Sequence, residues 1–404
     1  MKSIILLYLE MQRWKAVNVF DRQTEFWQVG CVFKRAMSFA GQNEFCRAEG
    51  QAFSGAEYNE RGIKWQMKNI GFYIIVNING GSGRAKKTYA EVRAMLLRSG
   101  ITFRTYISRY PGDAKKFVEK LTKKTEGQIN LIVAGGDGTI NEVINGITDF
   151  ERTRIGIIPT GSGNDFARGL GVSKKTGKAL AALLNAAKED RCRLVDVGLT
   201  TVFSDENVDI QLGKAKNVLS LERRFGISSG IGLDALVCKK VDHSKIKNFL
   251  NSFGLGGLSY IVMTIISLFT MEKNDVRIKM SGSVPESVAG DISGPQDEDT
   301  VSVDIRKLIF FAAMNMRCEG GGVPMAPKAD YSDGELSCTL SYNVPKWKSF
   351  FVLPVLVMAK HEKSKSFMLF NKDKVELFSD RKMVVHIDGE YGGESKHVKF
   401  EVLP

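Results

Sequence analysis

The chain has 404 residues, 43% hydrophobic and 25% charged, a balance that excludes disordered, fibrous and membrane-spanning classes of composition. Lys and Arg outnumber Asp and Glu 57 to 45, giving a net charge of +12, so the favoured partners are anionic: nucleotides, nucleic acid or an anionic membrane surface. Cys31, Cys46, Cys192, Cys238, Cys318 and Cys338 form no C-x-x-C pair, and His243, His361, His386 and His397 are dispersed. That spacing argues against a disulfide frame or a zinc site and for a reducing compartment.

Residues 1–66 show no period, and Trp14, Trp27 and Trp65 fall at no helical or strand spacing. Folded architecture is expected to begin at Met67, with the preceding segment dispensable. Phe72 to Val76 is a continuous apolar run, as a buried parallel strand requires. Helix follows over Lys86–Ser99, strand over Ile101–Ile107 and helix over Asp113–Lys124. Then come strand Asn130–Ala134, helix Ile140–Ile147, strand Arg154–Ile158 and helix Lys178–Ala187. Such alternation predicts a parallel sheet with right-handed crossovers, an α/β domain over residues 67–195.

After Arg193 the texture changes. Strands are predicted at Arg193–Val197, Val218–Ser228, Asp275–Met280, Val301–Asn315, Leu336–Tyr342, Val375–Phe378, Met383–Ile387 and Val398–Val402. Glycine and polar turns separate many of them, which predicts a β-rich, sandwich-like second domain over residues 196–404. The last strands are free to return to the first domain. Helices are expected at Asp234–Val241, Leu258–Thr270 and Lys346–Met358, and a surface loop over Gly282–Asp299. Leu255–Met271 is the most apolar stretch. Its Gly, Ser and Thr content keeps it short of the roughly 20 apolar residues a membrane span needs.

Three loops carry the chemistry, each after a strand and before a helix. In Asn77-Ile78-Asn79-Gly80-Gly81-Ser82-Gly83-Arg84, the glycines let backbone N–H groups approach an anion, and no G-K-[ST] closes a Walker A loop. In Gly135-Gly136-Asp137-Gly138-Thr139, followed by Asn141-Glu142, a helix N-terminus faces the anion. Asp137 would repel a bare phosphate, so it implies a bridging Mg²⁺ or a proton-accepting role. In Pro159-Thr160-Gly161-Ser162-Gly163-Asn164-Asp165, Ser162 offers a hydroxyl, and Asn164 or Asp165 can cap the next helix. All three fall at the carboxyl ends of neighbouring parallel strands, where open α/β sheets bind ligands.

The second and third loops, with Phe166 and Ala167, resemble the diacylglycerol kinase catalytic family, which includes soluble bacterial lipid kinases and the sphingosine and ceramide kinases. The resemblance runs from about Met67 to the C-terminus. It implies that the first domain binds nucleotide, that the active site lies in the cleft between it and the β-rich second domain, and that ATP contacts Asn77, Gly80, Gly81, Ser108, Gly135, Gly136, Asp137, Gly138, Thr139, Asn141 and Ser162. Ser108 and Ser162 stand where threonine is common and keep the hydroxyl. Asp330, Asp333 and Glu335 resemble the family's acidic turn, which holds a structural Mg²⁺; on their own they read equally as an Asp-Gly hairpin turn. Asp388-Gly389-Glu390 resembles the motif that supplies the catalytic base. By itself it is a turn after a strand, and Asp388, Glu390 and Asp137 all stay open for that role.

The expected function is therefore transfer of the γ-phosphoryl group of ATP, with Mg²⁺, to a lipid hydroxyl, with diacylglycerol giving phosphatidic acid as the leading case. The expected partner is a lipid at the membrane surface, with no nucleic acid and no transmembrane span. A homodimer follows from the resemblance to bacterial enzymes, and the location expected is cytoplasmic, against the inner face of the membrane. Lys239, Lys240, Lys245 and Lys247 precede the apolar segment and suit such a surface. An NAD kinase, which shares a similar Gly-Gly-Asp-Gly loop, and a catalytically silent nucleotide- or lipid-binding regulator are the alternatives.

Overall fold

A computed structural model describes residues 30–33, 71–78, 84–204, 219–242, 267, 271–282, 300–345, 348 and 351–403. Two sheets organise these residues. The first has the strand order β3-β2-β4-β5-β1-β6, where β1 is Gly30–Phe33, β2 Phe72–Val76, β3 Phe103–Ile107, β4 Ile129–Gly135, β5 Thr153–Pro159 and β6 Cys192–Val195. Strands β2 to β5 run parallel, with Val76 opposite Ala134 and Gly135 opposite Pro159. β1, which pairs antiparallel with β5 and parallel with β6, falls within residues 1–66, where the sequence reading assigned no element and expected none before Met67.

Period-two alternation explains why both faces of this sheet are covered. Ile74, Val76, Ile132, Ala134 and Ile158 face helices α1 (Arg84–Arg98) and α5 (Thr176–Lys188) through Val92, Leu96, Leu180 and Leu183. Tyr73, Ile75, Leu131, Val133 and Ile157 face α2 (Asp113–Lys124) and α3 (Asp137–Gly146) through Val118, Leu121, Val143 and Ile144. Strands buried on both sides read as unbroken apolar runs for this reason. At Gly156 a Cβ would lie 1.9 Å from Leu183 Cδ1, so glycine is what lets α5 close on β5.

The second sheet has nine strands, and every pairing in it is antiparallel. Its order is β13-β12-β11-β10-β14-β15-β7-β8, with β9 pairing β11 and β14. The strands are β7 (Gly198–Phe203), β8 (Leu219–Phe225), β9 (Ser228–Gly232), β10 (Asn274–Ser281), β11 (Thr300–Met314), β12 (Leu336–Tyr342), β13 (Phe367–Lys372), β14 (Lys374–Ile387) and β15 (Glu390–Val402). Phe311, Phe400, Leu377, Val385 and Ile278 centre its core. Helix α6 (Leu233–Asp242) packs against β14 and β15, and a short α7 (Val352–Val357) joins a satellite core with Phe310 and Phe367.

Several predicted elements change shape. The strand expected over Val218–Ser228 breaks at Gly226–Ile227, where the chain passes so close to the first domain that a Cβ on Gly226 would lie 2.6 Å from Phe166 Cε2. The two strands expected at Val375–Phe378 and Met383–Ile387 are one, β14, whose register shifts between them. β7 and β13 were not predicted, although Thr200, Thr201 and Val202 carry a strand's residue types. Apart from Ser267, Thr270's neighbour Met271 and Gly282, the helix expected at Leu258–Thr270 and the loop over Gly282–Asp299 lie outside the described residues, as do the three tryptophans. Among the described residues no helix is long and apolar enough to cross a membrane.

Candidate functional site

Because β2, β3, β4 and β5 are parallel, their carboxyl ends deliver Asn77, Ser108, the Gly135–Thr139 loop and the Gly161–Asp165 loop to one edge of the sheet. Asn77 Nδ2 reaches Thr139 Oγ1 at 3.4 Å, and Ser108 is buried with its N–H on Val76 O at 2.8 Å. The two inner loops touch backbone to backbone: a Cβ on Gly161 would lie 2.7 Å from Gly136 Cα. Only glycine permits that approach. Asn164 braces the third loop, accepting the Gly161 N–H at 2.9 Å and donating to Gly161 O at 2.7 Å. Ser162 is exposed beside it. Asn79, Gly80, Gly81, Ser82 and Gly83 lie outside the described residues.

Asp137 opens α3 and faces the third loop. Its Oδ1 accepts the Phe166 N–H at 3.2 Å, at the start of α4 (Asp165–Gly169), and Oδ2 lies near Gly163. Loss of solvent pushes its carboxyl upward, against the pull of the Phe166 and Asn164 N–H groups and of Arg168. Arg168 in turn pairs with Asp165 and donates to Gly163 O at 2.8 Å, and Asp165 Oδ2 accepts the Gly321 N–H at 2.6 Å. The second domain thus grips the third loop through its triple-glycine turn.

Asn141 is a hub between the domains rather than an open ligand contact. Its Nδ2 donates to Asp388 Oδ2 at 2.7 Å and to Arg224 O at 2.9 Å, while its Oδ1 accepts from Arg223 Nε at 2.9 Å. Every polar atom of that amide is already engaged, and the residue is 1% exposed. Glu142, its neighbour in the motif, caps α2: its carboxylate accepts the N–H groups of Gly112 at 2.8 Å and Ala114 at 3.1 Å. Arg224 closes the other end of α3, donating to Ile147 O at 2.8 Å.

The two C-terminal acidic residues separate in role. Asp388 accepts four hydrogen bonds: from Gly226 N at 2.9 Å and Asn141 Nδ2 on Oδ2, and from Ile227 N at 2.8 Å and Ser228 N at 3.1 Å on Oδ1. Burial pushes its carboxyl upward, with those donors pulling against it. Both oxygens are committed to the turn that joins β8 to β9. Glu390 stands free of that turn. Its Oε2 pairs with Arg223, and its Oε1 would lie 2.9 Å from a Cβ on Gly138, so it faces the glycine loop directly. Its side chain is 47% exposed to the cleft.

The acidic turn is a different case. Asp330, Asp333 and Glu335 are all exposed; Asp330 accepts the Ser332 N–H at 3.0 Å and Asp333 the Glu335 N–H at 3.0 Å. These are hairpin-turn bonds. Their oxygens suit Mg²⁺ chemically, and in this conformation their donor atoms do not all lie within 4.8 Å of one another. Another set is gathered to that distance: Asp234, Glu319 and His386, which the sequence reading missed because they are 85 and 67 residues apart. Lys239, expected at a membrane edge, instead pairs with Glu394 and lies 5.7 Å from the Tyr391 ring centre; Lys245 and Lys247 lie outside the described residues.

The family described as "Diacylglycerol kinase catalytic domain" matches residues 71–198, and the "YegS C-terminal NAD kinase beta sandwich-like domain" matches residues 227–404. The diacylglycerol kinase of Staphylococcus carnosus (strain TM300) is 26% identical over 322 residues, covering 80% of this chain and 89% of its own. That of Bacillus subtilis (strain 168) is 24% identical over 322 residues, covering 79% and 89%. The crystal structure of a diacylglycerol kinase from Bacillus anthracis str. Sterne superposes with a TM-score of 0.52 at 19% identity, over 82% of this chain and 93% of that one. At that identity the superposition speaks for the fold.

Proposed function

The chain belongs to the diacylglycerol kinase catalytic family, and from that premise we propose that it is an ATP-dependent lipid kinase, with diacylglycerol as the leading acceptor. One observation carries the reading: Glu390, from the far end of the chain, faces Gly138 of the phosphate-type loop with one carboxylate oxygen while Arg223 holds the other. A carboxylate so placed can accept a hydroxyl proton beside a bound triphosphate. ATP lies along the edge formed by Asn77, Ser108, the Gly135–Thr139 loop and Ser162. Asp137 is a hard oxygen donor at that loop and fits the Mg²⁺ that accompanies ATP, which neutralises phosphate charge when bound.

Glu390 takes the proton as the acceptor oxygen bonds to the γ-phosphorus. The bond to the β,γ-bridging oxygen breaks and ADP leaves. Asp388 is assigned to holding the turn, since its oxygens already accept four hydrogen bonds. Such an enzyme meets its acceptor at the inner membrane surface, where the net charge of +12 favours anionic lipid.

The test is transfer of label from ATP with Mg²⁺ to mixed micelles carrying one lipid each, with NAD in parallel. Label on diacylglycerol is the expected result. The NAD kinase resemblance of the C-terminal domain makes NAD the second acceptor to try; label on NAD alone would replace the lipid reading, and ATP binding without transfer would favour a silent regulator. A positioned base contributes about 10²–10⁴-fold. Glu390→Gln should therefore lower kcat by that order while ATP binding, followed by calorimetry, is retained.

A further inference from the structure

Asp234 at the start of α6, Glu319 after β11 and His386 on β14 meet beneath the cleft, with donor atoms within 4.8 Å of one another. His386 Nε2 is 3.0 Å from Asp234 Oδ2, and Glu319 Oε2 accepts the Ser228 hydroxyl at 2.5 Å. The space is tight: a Cβ on Gly230 would lie 2.9 Å from His386 Nε2 and 3.0 Å from Asp234 Oδ2. Neither the proton transfer nor the phosphate loops use these groups directly.

Their connections lead to both halves of the site. Ser228, held by Glu319 through its hydroxyl, donates its N–H to Asp388 Oδ1 at 3.1 Å and accepts the Asp388 N–H on its carbonyl at 2.8 Å. Asp388 precedes Gly389 and Glu390, so the Ser228 turn sets where Glu390 points. From Glu319 the chain enters Gly320–Gly322, whose Gly321 N–H holds Asp165 of the third loop at 2.6 Å.

We propose that Asp234 and Glu319, gathered on the buried His386, form with it a positioning triad that fixes the Ser228 turn, and through it the direction of Glu390, against the third glycine loop. None of the three touches a reacting atom. The charged groups facing His386 are Asp234 from α6, Glu319 from the loop after β11 and Asp388 from the turn that follows its own strand. Burial pulls the imidazolium down, but these carboxylates outweigh it and hold it up at about 9. Loss of solvent likewise pushes the Glu319 carboxyl up. Charge thus adds to the Nε2–Asp234 contact in holding the imidazole where it is.

The activity arm rests on the kinase reading. Ser228→Ala and Glu319→Leu should each lower kcat on the order of 10²-fold, the scale of a misplaced catalytic group, with the KM for ATP within about 2-fold. Glu319→Gln, which keeps the acceptor, should restore most of the loss. The double variant Ser228→Ala/Glu319→Leu should be no slower than either single one, because both break the same bond. Wild-type kcat in Ser228→Ala, or additive losses in the double variant, would overturn the proposal. The second arm needs no activity: the His386 titration followed by NMR in the full chain should fall by about one pH unit or more in Asp234→Asn. An unmoved midpoint would sink the triad whatever the acceptor is. A moved midpoint in a protein that phosphorylates no lipid would support the triad and reject only the kinase reading.

Discussion

Asp388 has φ +48° and Gly389 φ +79°, a left-handed pair that reverses the chain between β14 and β15. The reversal puts Asp388 inward, onto the N–H groups of residues 226–228, and sends Glu390 across to Gly138. Two carboxylates separated by one glycine thus have different tasks, and substitution should separate them. Asp388→Asn replaces one acceptor oxygen with a donor that meets N–H groups, so it should destabilise the fold by about 1.5–3 kcal/mol, seen as a lower midpoint in urea. Glu390→Gln should leave that midpoint unchanged and lower turnover. Equal urea midpoints for wild type and Asp388→Asn would remove the structural assignment. The sequence left Asp388, Glu390 and Asp137 open for the role of base, because the four donors to Asp388 come from residues 141 and 226–228.

Individual elements were most legible where a single period governs them. The helix Asp113–Lys124 and the strand Leu336–Tyr342 have the bounds the sequence predicts. β14 and β15 were harder, because their register shifts twice and each spans residues that read as turns. Their pairing contains a titratable lock: Glu376 on β14 lies 3.1 Å from His397 Nε2 on β15. Burial pushes the Glu376 carboxyl up, yet His397 and Lys374 outweigh it and bring it down to about 2 from 4.5. A depressed acid stabilises the fold fully above the unfolded value and loses that contribution as pH falls toward the folded one. The upper limit is about 3 kcal/mol. Wild type should thus exceed Glu376→Gln in stability at pH 7, and the gap should narrow by pH 3. A gap that is constant with pH would mean that His397 and Lys374 do not act through charge.

At the scale of the whole molecule, the domains are tied at the cleft itself. Asn141 joins α3 to β8 and to Asp388, Asn315 donates to Asp196 O at 2.7 Å and to Gly226 O at 3.0 Å, and Leu403 returns to the core of the first domain. Asn141→Ala should cost at least about 2 kcal/mol by leaving buried donors and acceptors unpaired. It should also split the calorimetric transition as the two sheets uncouple; a single transition at the wild-type temperature would refute Asn141 as the tie. The sequence by itself determined the two textures, parallel then antiparallel, and the glycine loops at strand ends, because hydrophobic period and glycine spacing are local properties. Only the tertiary structure decided that Asn141 ties domains, that Glu390 and not Asp388 faces the loop, and that Asp234, Glu319 and His386 meet. Those outcomes depend on hydrogen bonds and charges between residues tens to hundreds of positions apart, which no local pattern records.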